Sequence, residues 1–150
     1  MKVGIISDTH GRLPAAAFKA LEGCDAIIHA GDIGSPEVLY ELEAIAPVTA
    51  VLGNCDQPEY GRSVRAVAAP RIGGVRFKVV HRFRDIGKLP EDVGVIVHGH
   101  THLPAIERSS HLLIINPGSP TRPRGDNWPS VALVEIEDGV VTDACVVELT

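Results

Sequence analysis

The 150-residue chain has few cysteines, no excess of positive charge and no long hydrophobic run. Its three cysteines, Cys24, Cys55 and Cys145, are odd in number and widely spaced, with no CxxC pair. They offer no disulfide framework, and a reducing cytosol is the simple reading. The formal net charge of −5 argues against a broad nucleic-acid or membrane-binding face, although a local positive patch remains compatible with it. The opening apolar stretch is only VGII before the polar SDTH, so neither a signal peptide nor a spanning segment is expected, and a cytoplasmic location follows. There is no linker, repeat or low-complexity tract. The length suits one domain over 1–150, large enough to bury a core without disulfide staples.

What is present has a regular order. KVGIIS (2–7), DAIIHAGD (25–32) and PVTAVLGN (47–54) are short apolar runs that end in polar residues, and each reads as a strand. Between them, LPAAAFKALEG (13–23) and SPEVLYELEAIA (35–46) have helical spacing. Gly23 stops the first, and Ser35 with Pro36 starts the second. The first third is therefore β-α-β-α-β, which implies parallel strands with helices packed on them. The remainder, from SVRAVAAPRI onward, is a series of strand-like runs divided by Gly, Pro, Asn or Asp, with EDG (137–139) as a hairpin signal. The expected fold is α/β, with two mostly stacked sheets and helices outside.

Polar residues collect just beyond these strands. Asp8 and His10 follow the first, Asp32 the second, and Asn54 and Asp56 the third; His81 ends GVRFKVVH, and His98, His100 and His102 follow DVGVIV. Loops at the carboxyl ends of parallel strands share one edge of a sheet, so residues distant in sequence can converge there. Oxygen and nitrogen donors without an obvious thiolate suit Mn, Fe, Zn or Co better than Ca. Seven plausible ligands from this set are too many for one transition ion but suit a pair sharing one carboxylate. Two metals about 3.5–4 Å apart are a recurring arrangement for hydroxide attack at phosphorus.

The pieces DTH (8–10), GD (31–32), GNCD (53–56), His81 and GHTH (99–102) resemble the calcineurin-like metallophosphoesterase superfamily. INPGS (115–119) and PRG (123–125) are similar to its small YfcE/MJ0936-type phosphodiesterases. The resemblance implies a four-layered α/β/β/α sandwich of two mixed sheets. It implies two divalent ions, manganese first, with Fe, Zn, Ni or Co also suited. Asp8, His10 and His102 would hold one ion, and Asn54, His81 and His100 the other, with Asp32 bridging. Two divalent ions against two carboxylates leave the cluster at about +2, and a bridging hydroxide lowers that to about +1. The implied function is a phosphodiesterase that attacks a small phosphoester in line, with neither membrane nor nucleic-acid polymer as partner. Relatives often form homodimers or homotetramers. The alternative is a non-catalytic scaffold such as retromer's Vps29 subunit, which uses the same fold to bind protein.

Single residues carry finer expectations. Asn54 and Cys55 are catalytic candidates, Cys55 standing where the wider superfamily often has histidine. A thiol with a pKa near 8.5 is a weak acid at neutrality, and activity should then depend on a good leaving group. Arg12, Asn54 and Arg82 are candidate substrate contacts. The segment from Arg82 to Val93 is short beside relatives that carry a full helix there. His98 is expected to support its neighbours rather than ligate, and His29 and His111 to be structural. NPGS (116–119) reads as a tight turn, and RPR (122–124) as a solvated loop.

Overall fold

A computed structural model describes residues 1–150, with the side chain of Glu59 outside the described set. The strands are β1 (Lys2–Ile6), β2 (Ala26–His29), β3 (Val48–Ala50), β4 (Val67–Ala68), β5 (Arg71–Ile72), β6 (Val75–Val80), β7 (Val93–Val97), β8 (Ala105–Arg108), β9 (Leu113–Asn116), β10 (Ser130–Glu137) and β11 (Val140–Glu148). The helices are α1 (Ala15–Leu21) and α2 (Pro36–Glu43), with single 3-10 turns at Pro58–Tyr60 and Phe83–Asp85.

The strands form two mixed sheets. The first has the order β11-β10-β1-β2-β3, with β1, β2 and β3 parallel and the β10–β11 hairpin antiparallel at one edge. The second has the order β4-β6-β7-β9-β8, with β5 also on β6; β6, β7 and β9 run parallel. Asp138 and Gly139 turn the hairpin with φ of 52° and 76°, the left-handed pair that matches strand twist in a two-residue connection.

Alternation along the strands decides what lies between the sheets. Val3, Ile5 and Ile28 from the first sheet meet Phe77, Val79, Val95, Val97 and Ile115 from the second in one buried cluster. A second cluster joins the other face of the first sheet, through Ile6 and Ile27, to Ala17 and Leu21 of α1 and Val38, Leu39 and Leu42 of α2. Ser35 caps α2, its Oγ accepting from the Glu37 N–H at 3.2 Å, and Pro36 fills the first helical position. The stacked sheets with outer helices are the fold expected from the sequence. The outer side of the second sheet is thinly covered. Helix between β6 and β7 is confined to the turn Phe83–Asp85, and Lys78 reaches out to donate to the Lys88 carbonyl at 2.7 Å. No described helix is long and apolar enough to cross a membrane.

Parallel direction within both sheets has one consequence for function. The carboxyl ends of β1, β2, β3, β6, β7 and β9 all open toward the same rim. Each is followed by one of the polar segments singled out above.

Candidate metal centre

Loops at this rim bring Asp8, His10, Asp32, His81 and His102 within a few ångströms of one another. Asp8 Oδ1 lies 3.2 Å from His102 Nε2 and 3.8 Å from the Nε2 atoms of His10 and His81. Asp32 Oδ2 lies 3.3 Å from His81 Nε2 and 3.9 Å from His10 Nε2. Both carboxylates thus sit between imidazoles on two sides. His100 Nδ1 is 3.0 Å from Asn54 Oδ1, and its ring packs edge-on to His81 with centroids 5.2 Å apart. Cys55 also faces inward, its Sγ grouped with donor atoms of His10 and Asp32 within 4.8 Å.

The backbone at these positions is unusual. Asp8, His10, Asp32, His100 and His102 all have φ between 50° and 72°. Among the described residues the one other non-glycine with positive φ is Asp138 in the hairpin. Left-handed backbone costs an L-residue about 1–2 kcal/mol, although Asp, Asn and His tolerate it better than most. Concentrated at one rim, such conformations mark a site held in shape by its surroundings. Gly99 is part of that packing. A Cβ there would lie 2.1 Å from Ser7 Oγ and 2.5 Å from Asp8 Oδ2, so only glycine lets the loop after β7 press onto the loop after β1.

Surrounding hydrogen bonds aim the donor atoms. Asp8 Oδ2 accepts from Ser7 Oγ at 2.6 Å and from the His100 N–H at 3.0 Å. That leaves Oδ1 buried without a hydrogen-bond partner. Asp32 Oδ1 accepts from the Cys55 N–H at 2.8 Å, leaving Oδ2 to face the histidines. His81 Nδ1–H donates to the Ala30 carbonyl at 2.8 Å, so in the neutral ring its buried Nε2 carries a lone pair, and that atom too has no partner. His102 Nδ1–H donates to the Arg122 carbonyl at 2.6 Å. His10 Nε2–H then donates to His102 Nε2 at 3.3 Å. His81, oriented through one nitrogen and open at the other, has the usual form of a metal ligand. A buried carboxylate oxygen and a buried imidazole nitrogen without partners are costly unless a cation completes them. The donor set therefore fits divalent transition ions.

Titration follows the same geometry. Burial works against charge on Asp32, but neighbouring His81 and the Cys55 N–H outweigh it and hold its carboxyl well below the usual range. Burial also opposes a charged His81; Asp32 and Asp8 overcome this and push its pKa up. Burial first, then the Arg122 guanidinium, push His10 down. Burial first, then Asp32, push the Cys55 thiol up, so it is a neutral thiol at neutrality.

The neighbouring polar residues are structural. Asp56 accepts from the N–H groups of Ile33, Gly34 and Gly53 and from Tyr60 Oη, tying the loops after β2 and β3 together. His29 is fully buried, accepts from the Gly31 N–H and donates to Thr9 Oγ1; burial pushes its pKa down to about 3. In NPGS, Asn116 accepts from the Gly118 N–H. It also donates to Gly99 O and Thr101 Oγ1, while Ser119 Oγ donates to the Asp8 carbonyl at 2.8 Å. This turn clamps DTH to GHTH. His98 lies beside Phe83, not among the carboxylates, and its Nδ1 is buried without a partner.

A cavity of about 400 Å³ opens over the centre, lined by His10, Cys55, His100, His102, Arg122 and Arg124, among others. Arg82 does not line this cavity; it lines a neighbouring one with His98 and His100, and another with Asn54 and His81. Arg12 is exposed and does not line this cavity. Sequence reasoning missed Arg122 and Arg124. Both are solvated, as expected of RPR, yet the Arg122 carbonyl fixes His102 and its charge acts on His10. A basic pair just beyond NPGS was the available signal.

The chain matches the calcineurin-like phosphoesterase superfamily domain over residues 1–139, and it belongs to that family. It is 38% identical over 159 aligned positions to a probable metallophosphoesterase of Methanothermobacter thermautotrophicus, covering 96% of this chain and 90% of that protein. It is 30% identical to a phosphodiesterase of Methanocaldococcus jannaschii over 79% of this chain and 83% of that one. A solved structure of Vps29 from Entamoeba histolytica superposes with a TM-score of 0.76 over the full length of both chains, at 23% identity.

Proposed function

We propose that the protein is a phosphodiesterase that works with two divalent metal ions. The observation that carries this reading is the pair of buried atoms without partners, Asp8 Oδ1 and His81 Nε2, amid two carboxylates and several imidazoles. Asp8, His10 and His102 would hold one ion, and Asn54, His81 and His100 the other, with Asp32 shared between them. The ions, when bound, lower the pKa of a coordinated water and stabilise charge gathering on the phosphoryl oxygens during in-line displacement. Manganese leads the candidates, followed by Fe, Zn, Ni or Co.

The chain's own groups do the rest. Ala30 O and Arg122 O fix the tautomers of His81 and His102, and the Cys55 N–H orients Asp32. Asn54 turns its amide toward the centre, while Arg122 and Arg124 bring positive charge to the cavity of an otherwise acidic protein. Cys55 lines the cavity over the centre as a neutral thiol of raised pKa and is a poor acid at neutral pH. Turnover should therefore depend steeply on leaving-group pKa. A flat dependence, with chemistry limiting, would remove Cys55 from this role. A cytoplasmic setting suits its three free thiols.

The decisive assay is hydrolysis of bis(p-nitrophenyl) phosphate, and of p-nitrophenyl phosphate, by metal-stripped protein with and without added Mn²⁺. Metal-dependent turnover, faster for the diester, is expected. Stoichiometric metal binding without turnover of either ester would favour a protein-binding scaffold of the Vps29 kind.

A further inference from the structure

A second cavity, of about 280 Å³, adjoins the centre on the His100 side. It is lined by Arg82, Phe83, Arg84, His98 and His100, among others. His100 also lines the cavity over the metal centre. A phosphodiester held above the centre therefore has two directions for its two arms, and their chemistry differs. Toward Arg122 and Arg124 the wall is cationic. Toward Phe83 it is aromatic, with a cation on each side of the ring in sequence.

Phe83 is not spent on the core. The chain has three phenylalanines; Phe77 is fully buried between the sheets, whereas Phe83 keeps 45% of its surface exposed. It sits on the 3-10 turn Phe83–Asp85, which lies between β6 and β7. His98 packs beside it, ring centroids 5.3 Å apart and planes at 59°, and so props the phenyl ring at the cavity wall. This ring contact gives His98 a use other than ligation. Aromatic rings flanked by arginines at a phosphate site form a stacking platform for planar groups, with guanidinium–ring attraction in addition.

We propose that this cavity is a recognition subsite for a planar aromatic group on the phosphoester, a nucleobase or an aryl ring, with Phe83 as the stacking surface. The inference rests on the phosphodiesterase reading and narrows its substrate class. Small alkyl or sugar phosphates would reach the centre but leave the platform empty.

The test is binding, measured by calorimetry on manganese-loaded protein. The ligands are inorganic phosphate, ribose 5-phosphate against adenosine 5′-monophosphate, and methyl phosphate against phenyl phosphate. Stacking of one base predicts about a tenfold tighter Kd for an aromatic ester than for its non-aromatic partner. Phe83→Ala should erase that advantage, Phe83→Trp should restore it, and neither should alter phosphate affinity. A gain confined to the nucleotide assigns a nucleobase, and one confined to phenyl phosphate assigns an aryl ring. No aromatic advantage, or an equal loss for every ligand in Phe83→Ala, overturns the inference while leaving the phosphodiesterase reading intact. Failure of phosphate itself to bind would overturn both.

Discussion

The group around Asp8, His10 and His102 differs from the group around Asn54, His81 and His100 in how far it is built in advance. Asp8 and His102 are buried; neighbouring Ser7 and distant Ser119 brace the first, and the Arg122 carbonyl braces the second. Asp8 Oδ1 is left without a partner, as a waiting donor. His81 matches this in burial and orientation. Asn54 is exposed, and His100 is only part-buried; the atoms they could offer a metal are bonded to each other at 3.0 Å. A cation at the first group meets Asp8 Oδ1 already free and has only the longer His10–His102 contact of 3.3 Å to open, whereas one at the second must open the 3.0 Å Asn54–His100 contact. The two positions should therefore differ in affinity, the first being tighter.

The largest expected effect would erase the comparison. Asp32 faces both groups, so Asp32→Ala should abolish binding of two metal equivalents and lower kcat/KM by about a thousandfold or more. Retention of both equivalents by elemental analysis would defeat its shared role. Asn54→Ala should sharpen the contrast instead, leaving one tight equivalent, losing the weaker one and cutting turnover by about a hundredfold. Next comes pH. His81 has a raised pKa and must be neutral to ligate, so acidification protonates it early; His10, with a lowered pKa, stays neutral to lower pH. Metal should leave the His81 group first as pH falls, giving two separate release steps in a metal-retention titration. A single step would show that the groups act as one. The smallest effect belongs to His98→Ala, which should keep both equivalents and cost stability only about 1 kcal/mol. Loss of a full equivalent would mean that the histidine ligates after all.

Much of this was legible in the chain. Short β-branched runs ending in Asp, His or Asn announced strands with polar carboxyl ends, and Ser35-Pro36 announced α2 correctly. The parallel order of β1, β2 and β3 then forced their terminal residues toward one rim. What was not legible depends on contacts across the fold. Asp56 looked like part of a motif, but it ties two loops through backbone N–H groups that no spacing reveals. Arg122 looked solvated, and its carbonyl, not its side chain, fixes His102. VHGHTH also looks alike at all three histidines, yet β7 ends at Val97 and Gly99 turns the chain, so His98 faces Phe83 while His100 and His102 line the cavity over the centre.

The left-handed backbone at Asp8, His10, Asp32, His100 and His102 has a practical bearing on any mutational dissection. Alanine at these positions removes a donor atom and also forces a Cβ-bearing residue with no compensating polar group into a conformation it avoids. A glycine replacement removes the donor alone. In metal-stripped protein, His10→Gly should therefore be more stable than His10→Ala by about 1 kcal/mol, reversing the usual ranking of the two residues. Glycine in place of the missing donor is thus the cleaner subtraction, and the gap between the two variants reads out the conformational tension that the rim carries before any ion arrives.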